Sequence, residues 1–453
     1  MSNPIDHNAA WARRDLERVW HPCTQMKDHE ALPPLPIRSA RGVWLEDFNG
    51  QRYIDAVSSW WVNLFGHSNP VITAALKDQL DTLDHIMLAG MTHGPAVELA
   101  EALTRLAPDP LTRCFYADNG SAAVEAALKM SFHYWLNRGE TRPRFISLSN
   151  SYHGETLGAL AVGDVPLYKS TYGPLLLDNI VVPGPDCFGR PEGVSWREHS
   201  EAAFAAMEET LERHAHEVSA VIVEPLVQCA GSMRMYDPVY LTRLREACDR
   251  HNVHLIADEI AVGFGRTGSL FACEQAGIAP DFMCLSKGIT GGTLPLSVVL
   301  TSETVYQAFY DDYVNMRAFL HSHSYTGNAL ACRAALATLS IFESRDVLAE
   351  VRAKGAAMEA AAAELLDHPN VGDIRRHGMI MAIELVRDRD TLEPFDWRER
   401  RGRRIHKYAL TQDVLLRPLG DVVYFMPPYV INDDEIARMV GAAIRGIDIA
   451  VRD

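Results

Sequence analysis

"RCFYADNGSAAVEAALKMSFHYWL", residues 113–136, holds three pieces whose order decides the fold. "RCFYA" is rich in strand-compatible residues, Asn119-Gly120-Ser121 interrupts the run, and an alanine-rich pattern of helical length follows at once. The order recurs along the middle of the chain. "RFISLS" (144–149), "AVIVEPL" (220–226), "HLIADE" (254–259) and "DFMCLS" (281–286) are short β-rich runs, and "PVYLTRLREACDRH" (238–251) is a helical one. Short strands alternating with helices predict parallel strands joined by helical crossovers, an α/β fold with a large doubly wound, mostly parallel sheet. That domain is expected over residues 66–325.

Outside it the pattern changes. A long helical stretch (329–366) precedes strands at "GMIMAIELV" (378–386) and "VVYFMPP" (422–428) and a final helix at "DDEIARMVGAAIRGI" (433–447). This reads as a smaller α+β domain over 326–453. "GVWLEDFNGQRYIDA" (42–56) predicts a hairpin turning at Asn49-Gly50, within an N-terminal segment, 1–65, that packs with the small domain.

Bulk properties exclude several functions. A chain of 453 residues exceeds the size at which one core stops growing. Its net charge of −16 repels phosphate backbones and anionic membranes, so neither nucleic acid nor a membrane is expected as partner. Eight cysteines without C-x-x-C spacing read as reduced thiols of a cytoplasmic protein, and no zinc or other metal site is expected. Neither an apolar leader nor a membrane-length apolar run is visible in the sequence.

Chemistry concentrates at predicted strand ends, where open α/β sheets gather ligands. Lys287 ends the apolar "FMCLS" and is followed by glycines. A lysine is ordinarily a solvated charge, but partial desolvation there would free its amine as a nucleophile toward carbonyls. It is a candidate covalent anchor for a carbonyl cofactor. Asp258 ends "HLIAD" and, if charged, needs a cation such as a protonated ring nitrogen; taken alone it is equally well a helix cap. The Asn119-Gly120-Ser121 loop points helix N–H groups at an anion, with an ordinary cap at Ser121 as the alternative. Tyr152 in "SNSYHGE" offers a flat face against a planar group, and Glu224 is either a supporting carboxylate or an ion-pair partner. "GFGRTG" (263–268) matches a dinucleotide fingerprint literally, yet lies too far beyond its strand and opens no helix, which leaves a nicotinamide oxidoreductase as the competing enzyme class.

"NGS", "YHG", "EP", "DEI", "GFGRTG", "SKGITGG" and "YTGN" occur in this order, and the chain resembles the class III aminotransferases of the fold type I pyridoxal phosphate group from about residue 20 to the end. "WHPCTQM" (20–26), "VSSWWVN" (57–63), "GSMRMY" (231–236) and "RPLGDVVYFMPPY" (417–429) are similar to its biotin-pathway branch. The resemblance implies pyridoxal 5'-phosphate as cofactor, with Lys287 as its covalent anchor, Asp258 at the ring nitrogen and Tyr152 over the ring. It implies further cofactor contacts from Gly120, Ser121, His153 and Glu224. His323 and Ser324, the latter where threonine is usual, would come from the partner subunit, which implies a homodimer with composite active sites. Substrate contacts are implied for Trp60, Trp61, Tyr152, Lys287, Ser322, Arg417, Tyr424 and Arg266, with Arg417 taking a distal carboxylate. The implied reaction transfers the amino group of S-adenosylmethionine to 8-amino-7-oxononanoate; a pyruvate-, lysine- or ornithine-linked ω-amino acid transaminase is the rival within the same fold. Cys23 stands where some members carry tyrosine, and Ala329 where proline often follows "GN".

Overall fold

The structure is a computed structural model that describes residues 6–452. Its centre is a seven-stranded sheet in the order Leu111–Ala117, Ser297–Ser302, Phe282–Leu285, His254–Asp258, Val218–Val223, Arg144–Leu148, Ile180–Val182. Six strands run parallel, and Ser297–Ser302 runs antiparallel to both of its neighbours. Every residue of the Val218–Val223, His254–Asp258, Phe282–Leu285 and Ser297–Ser302 strands is buried. A strand covered on both faces has no polar side to show, which is why these segments read as unbroken apolar runs.

Period-two alternation splits the strands between two cores. Leu255, Ala257, Met283 and Leu285 face one, and Ile256, Phe282 and Cys284 face the other. The second is closed by the Gly120–Asn137 helix, whose Ala123, Val124, Ala126, Ala127 and Met130 are buried against the sheet. Asn119 caps that helix by accepting the Ala122 N–H at 3.1 Å. The cap contributes about 1 kcal/mol, whereas Val124 and Met130 contribute about 2 each and every buried alanine methyl somewhat under 1. Packing on the sheet, not the cap, therefore holds the helix in place.

Both ends of the chain share a second unit. The Trp44–Asp47 and Arg52–Asp55 strands form the expected hairpin, turning through Gly50 at φ +87°. Val414–Leu415 then joins Arg52–Asp55 in parallel, bringing a C-terminal strand onto the N-terminal sheet. A separate antiparallel sheet contains Val371–His377, Ile380–Leu385 and Val422–Phe425. The Asp433–Val451 helix, opened by an Asn432/Glu435 capping box, buries Ile436, Met439, Val440 and Ile447.

Two details depart from the sequence reading. The long helical stretch is two helices, Ala329–Ser344 and Val347–Ala361, because Asp346 turns out of the first and caps the second through the Ala349 N–H. Ser297–Ser302 and Ile180–Val182, followed by the Glu303–Gln307 and Trp196–His214 helices, were not resolved by the alternation. No helix among the described residues is long and apolar enough to cross a membrane.

Candidate active site

The carboxyl ends of the parallel strands open on one edge, and the site grows from them. After Phe282–Leu285 the chain turns sharply: Lys287 has φ +45°, and Gly291 and Gly292 have φ +62° and +83°. A left-handed residue other than glycine costs roughly 1–2 kcal/mol, so the lysine sits on a strained corner of the kind found at functional sites. Its Nζ lies 5.0 Å from the centroid of the Trp61 ring. Burial lowers the ammonium pKa, against the pull of Asp258, Cys229 and Glu224.

Asp258 is on the neighbouring strand, in register with Cys284, three residues before the lysine. Its Oδ1 accepts the Ile260 N–H at 3.1 Å, and its Oδ2 is 2.7 Å from His153 Nδ1. His153 is buried, and its Nε2 has no hydrogen-bond partner. Glu224 accepts the Tyr152 N–H at 2.9 Å and the Cys229 N–H at 3.0 Å, fixing the backbone under the tyrosine. Burial first, and then the charge of Asp258, pushes the Glu224 carboxyl well above the usual range.

The anion end differs from the simplest reading. Asn119, not Ser121, is the cap, which leaves the Ser121 hydroxyl beside the helix N-terminus to accept the Glu155 N–H at 3.3 Å. Gly154, at φ +128°, passes so close that a Cβ there would come 2.1 Å from Ser121 Oγ. The Tyr152 hydroxyl donates to Glu155 Oε1 at 3.0 Å, and its ring meets Tyr168 edge-on at 5.4 Å. Cys23 Sγ lies 3.5 Å from the same Glu155 oxygen, and burial and that carboxylate push its thiol up.

Substrate-wall candidates gather around the tryptophan pair. Arg417 stacks over the Trp60 ring at 4.6 Å, while Trp61 is buried and donates its Nε1–H to the Tyr424 hydroxyl at 3.0 Å. Two adjacent indoles therefore face different groups. Arg266 is fully buried, and its guanidinium donates to the carbonyls of Pro427 at 2.9 Å, Asn63 at 2.9 Å and Trp61 at 3.3 Å. That geometry ties backbone together: both terminal nitrogens hold carbonyls, and Nε has no hydrogen-bond partner. Ser322 and Ser324 are exposed, and the Ser324 carbonyl accepts from His85 Nε2 at 2.7 Å. His323 is half-buried with Nδ1 unpartnered.

Two groups at the site were not singled out from sequence. Glu155 was visible as an acid three residues after Tyr152, but only the folded loop brings it to Cys23. Asp55, beneath the tryptophans, ends a strand as Asp258 does; that shared signal was available.

The family model for aminotransferase class III matches residues 25–446. The chain belongs to this family. Its similarity to adenosylmethionine-8-amino-7-oxononanoate aminotransferase of Helicobacter pylori is 47% identity over 96% of this chain and 97% of the relative. The crystal structure of the enzyme of that name from Methanocaldococcus jannaschii superposes with a TM-score of 0.92 at 36% identity, covering 97% of this chain and 99% of the other. An amine transaminase from an uncultivated Pseudomonas species, solved in a PLP-bound form, superposes at 0.91 with 34% identity, covering 96% and 99%.

Class III aminotransferases use pyridoxal phosphate, and the residues present fit it. The helix N-terminus and the Ser121 hydroxyl suit a phosphate. Asp258 suits a ring cation and Lys287 an aldehyde, and the close passage of Gly154 over Ser121 keeps that loop thin. The dinucleotide alternative loses its basis: Gly263–Gly268 opens no helix, and its arginine is committed to carbonyls.

Proposed function

We propose that the protein is the pyridoxal phosphate-dependent transaminase of biotin biosynthesis that moves the amino group of S-adenosylmethionine to 8-amino-7-oxononanoate, giving 7,8-diaminononanoate. The observation that carries the reading is the pairing of Asp258 and Lys287 at the ends of adjacent parallel strands, with the lysine amine desolvated. Full-length relatives bearing that enzyme's name support the choice of substrates.

When bound, the cofactor supplies an aldehyde that takes up an amino group and a ring that withdraws electrons from the substrate α-carbon. Lys287 would anchor it covalently and its amine would move a proton at the α-carbon; burial lowers the ammonium pKa, the direction that favours the neutral amine. Asp258, oriented by His153, holds a proton at the ring nitrogen. Gly120 and Ser121 hold the phosphate, joined by Ser324 and His323 of a second copy in a homodimer. Tyr152, held by Glu224, covers the ring. Trp60, Trp61 and Tyr424 wall the substrate channel, and Arg417 at its mouth pairs with the carboxylate at the far end of the acceptor.

The exposure of Tyr313 (97%), Leu320 (87%) and Met316 (84%), close in sequence to Ser322–Ser324, supports the homodimer, since large apolar side chains grouped on the surface suit a partner. We place the protein in the cytoplasm, in keeping with eight free thiols, and divide the chain at 1–65, 66–325 and 326–453. Size-exclusion chromatography with light scattering tests the dimer: a monomeric holoenzyme would refute it. Borohydride reduction followed by peptide mapping tests the anchor, which is expected on Lys287 and on no other lysine.

A further inference from the structure

The tryptophan pair is carried on a backbone that resists its own conformation. Ser58, Ser59, Trp60 and Trp61 follow one another at φ +51°, +46°, +73° and +74°, four left-handed residues without a glycine among them. Side-chain sterics oppose each of them, so something must hold the turn.

Asp55 is placed to do so. It is fully buried at the end of the Arg52–Asp55 strand. Its Oδ1 accepts the Val57 N–H at 3.3 Å, and its Oδ2 accepts the Ser59 hydroxyl at 2.8 Å and His67 Nε2 at 2.9 Å. The far end of the turn is tied by Arg266 to the Trp61 and Asn63 carbonyls. There the lysine loop lies directly on the chain, since a Cβ on Gly292 would come 2.8 Å from Asn63 N.

The consequence concerns the two indoles. Only while the turn stays left-handed does Trp60 meet Arg417 at the same time as Trp61 meets Lys287 and Tyr424. We propose that Asp55 is a positioning residue for substrate recognition: by holding Val57, Ser59 and His67 it locks this turn and so aims the tryptophan pair. The proposal rests on the transaminase reading only for the substrates used to measure it.

Asp55→Asn keeps the shape of the side chain and removes its charge and one acceptor. In the purified holoenzyme it is expected to raise KM for donor and acceptor about tenfold while kcat stays within about threefold. The emission of Trp60, read as the difference between each protein and its Trp60→Phe counterpart, is expected to shift as the Arg417 contact loosens. Ser59→Ala, at an exposed position, is the milder arm and should move both readouts in the same direction. Adding Ser59→Gly to Asp55→Asn is expected to restore both toward wild type, because glycine adopts +46° without steric penalty. Unchanged KM values in Asp55→Asn overturn the proposal. So do losses that track melting temperature and cofactor content and do not recover with glycine. If the wild type itself fails to use these substrates, the functional reading falls, while the Trp60 emission and its recovery still decide the role of Asp55.

Discussion

Lys287 and Asp258 were legible in the sequence because burial leaves a visible contrast: a charged residue closing an apolar run has no solvent to explain it. The structure adds what spacing alone does not carry, namely that His153 orients Asp258 and Glu224 holds the Tyr152 backbone. Glu155 escaped because its partner Cys23 is distant in sequence, whereas Asp55, with partners at Val57, Ser59 and His67, carried the same strand-end signal as Asp258 and was passed over. Arg266 was a candidate for the pocket on motif grounds, and its hydrogen bonds give it a scaffold role at the Trp61–Asn63 backbone as well. Two outcomes belong at this scale. Lys287→Ala is expected to lower transamination at least about 10³-fold, the scale of losing one positioned proton-transfer group, and to leave the purified protein without covalently held cofactor by absorbance. Arg417→Ala is expected to raise the acceptor KM by about tenfold or more, consistent with a charge-assisted hydrogen bond of about 1–3 kcal/mol, and to alter the donor KM less. Half-reaction kinetics with each substrate separate the two.

Elements were read well where pattern and burial agree. The parallel strands are unbroken apolar runs because both faces are covered, and each is followed by a helix or a loop at the active edge. Ser297–Ser302 was missed because it is an antiparallel strand in a pattern read for parallel ones. The break at Asp346 was missed because alanine-rich helices on either side mask one capping residue. Packing of loop on loop was invisible to pattern and is the most sensitive part of the design. Gly292→Ala would force a side chain onto Asn63 at φ +83° and is expected to destabilise the protein by about 2 kcal/mol or more, seen as a lowered melting temperature. Gly154→Ala would press on Ser121 Oγ and is expected to weaken cofactor retention in dialysis against phosphate, with a smaller effect on melting of the cofactor-free protein.

At the scale of the molecule, stability and function carry different pH signatures. Burial lowers the pKa of His254 and of His377 to about 4, from 6.5. Between those values the unfolded chain binds more protons than the folded one, so stability is full above about pH 6.5 and is lost as pH falls toward 4. The loss is on the order of 2 kcal/mol for each histidine at pH 5. His254→Gln with His377→Gln is expected to flatten the dependence of melting temperature on pH across this window; an unchanged slope would mean that other groups set it. The amino group transfer follows from a narrower arrangement, the lysine and aspartate on adjacent strands with Trp61 against the lysine. Its most direct test is the absorbance of the purified holoenzyme during a half-reaction. S-adenosylmethionine alone is expected to convert the yellow aldehyde form to the colourless amine form, and 8-amino-7-oxononanoate to return it. Conversion by lysine or alanine but not by S-adenosylmethionine would contradict this expectation.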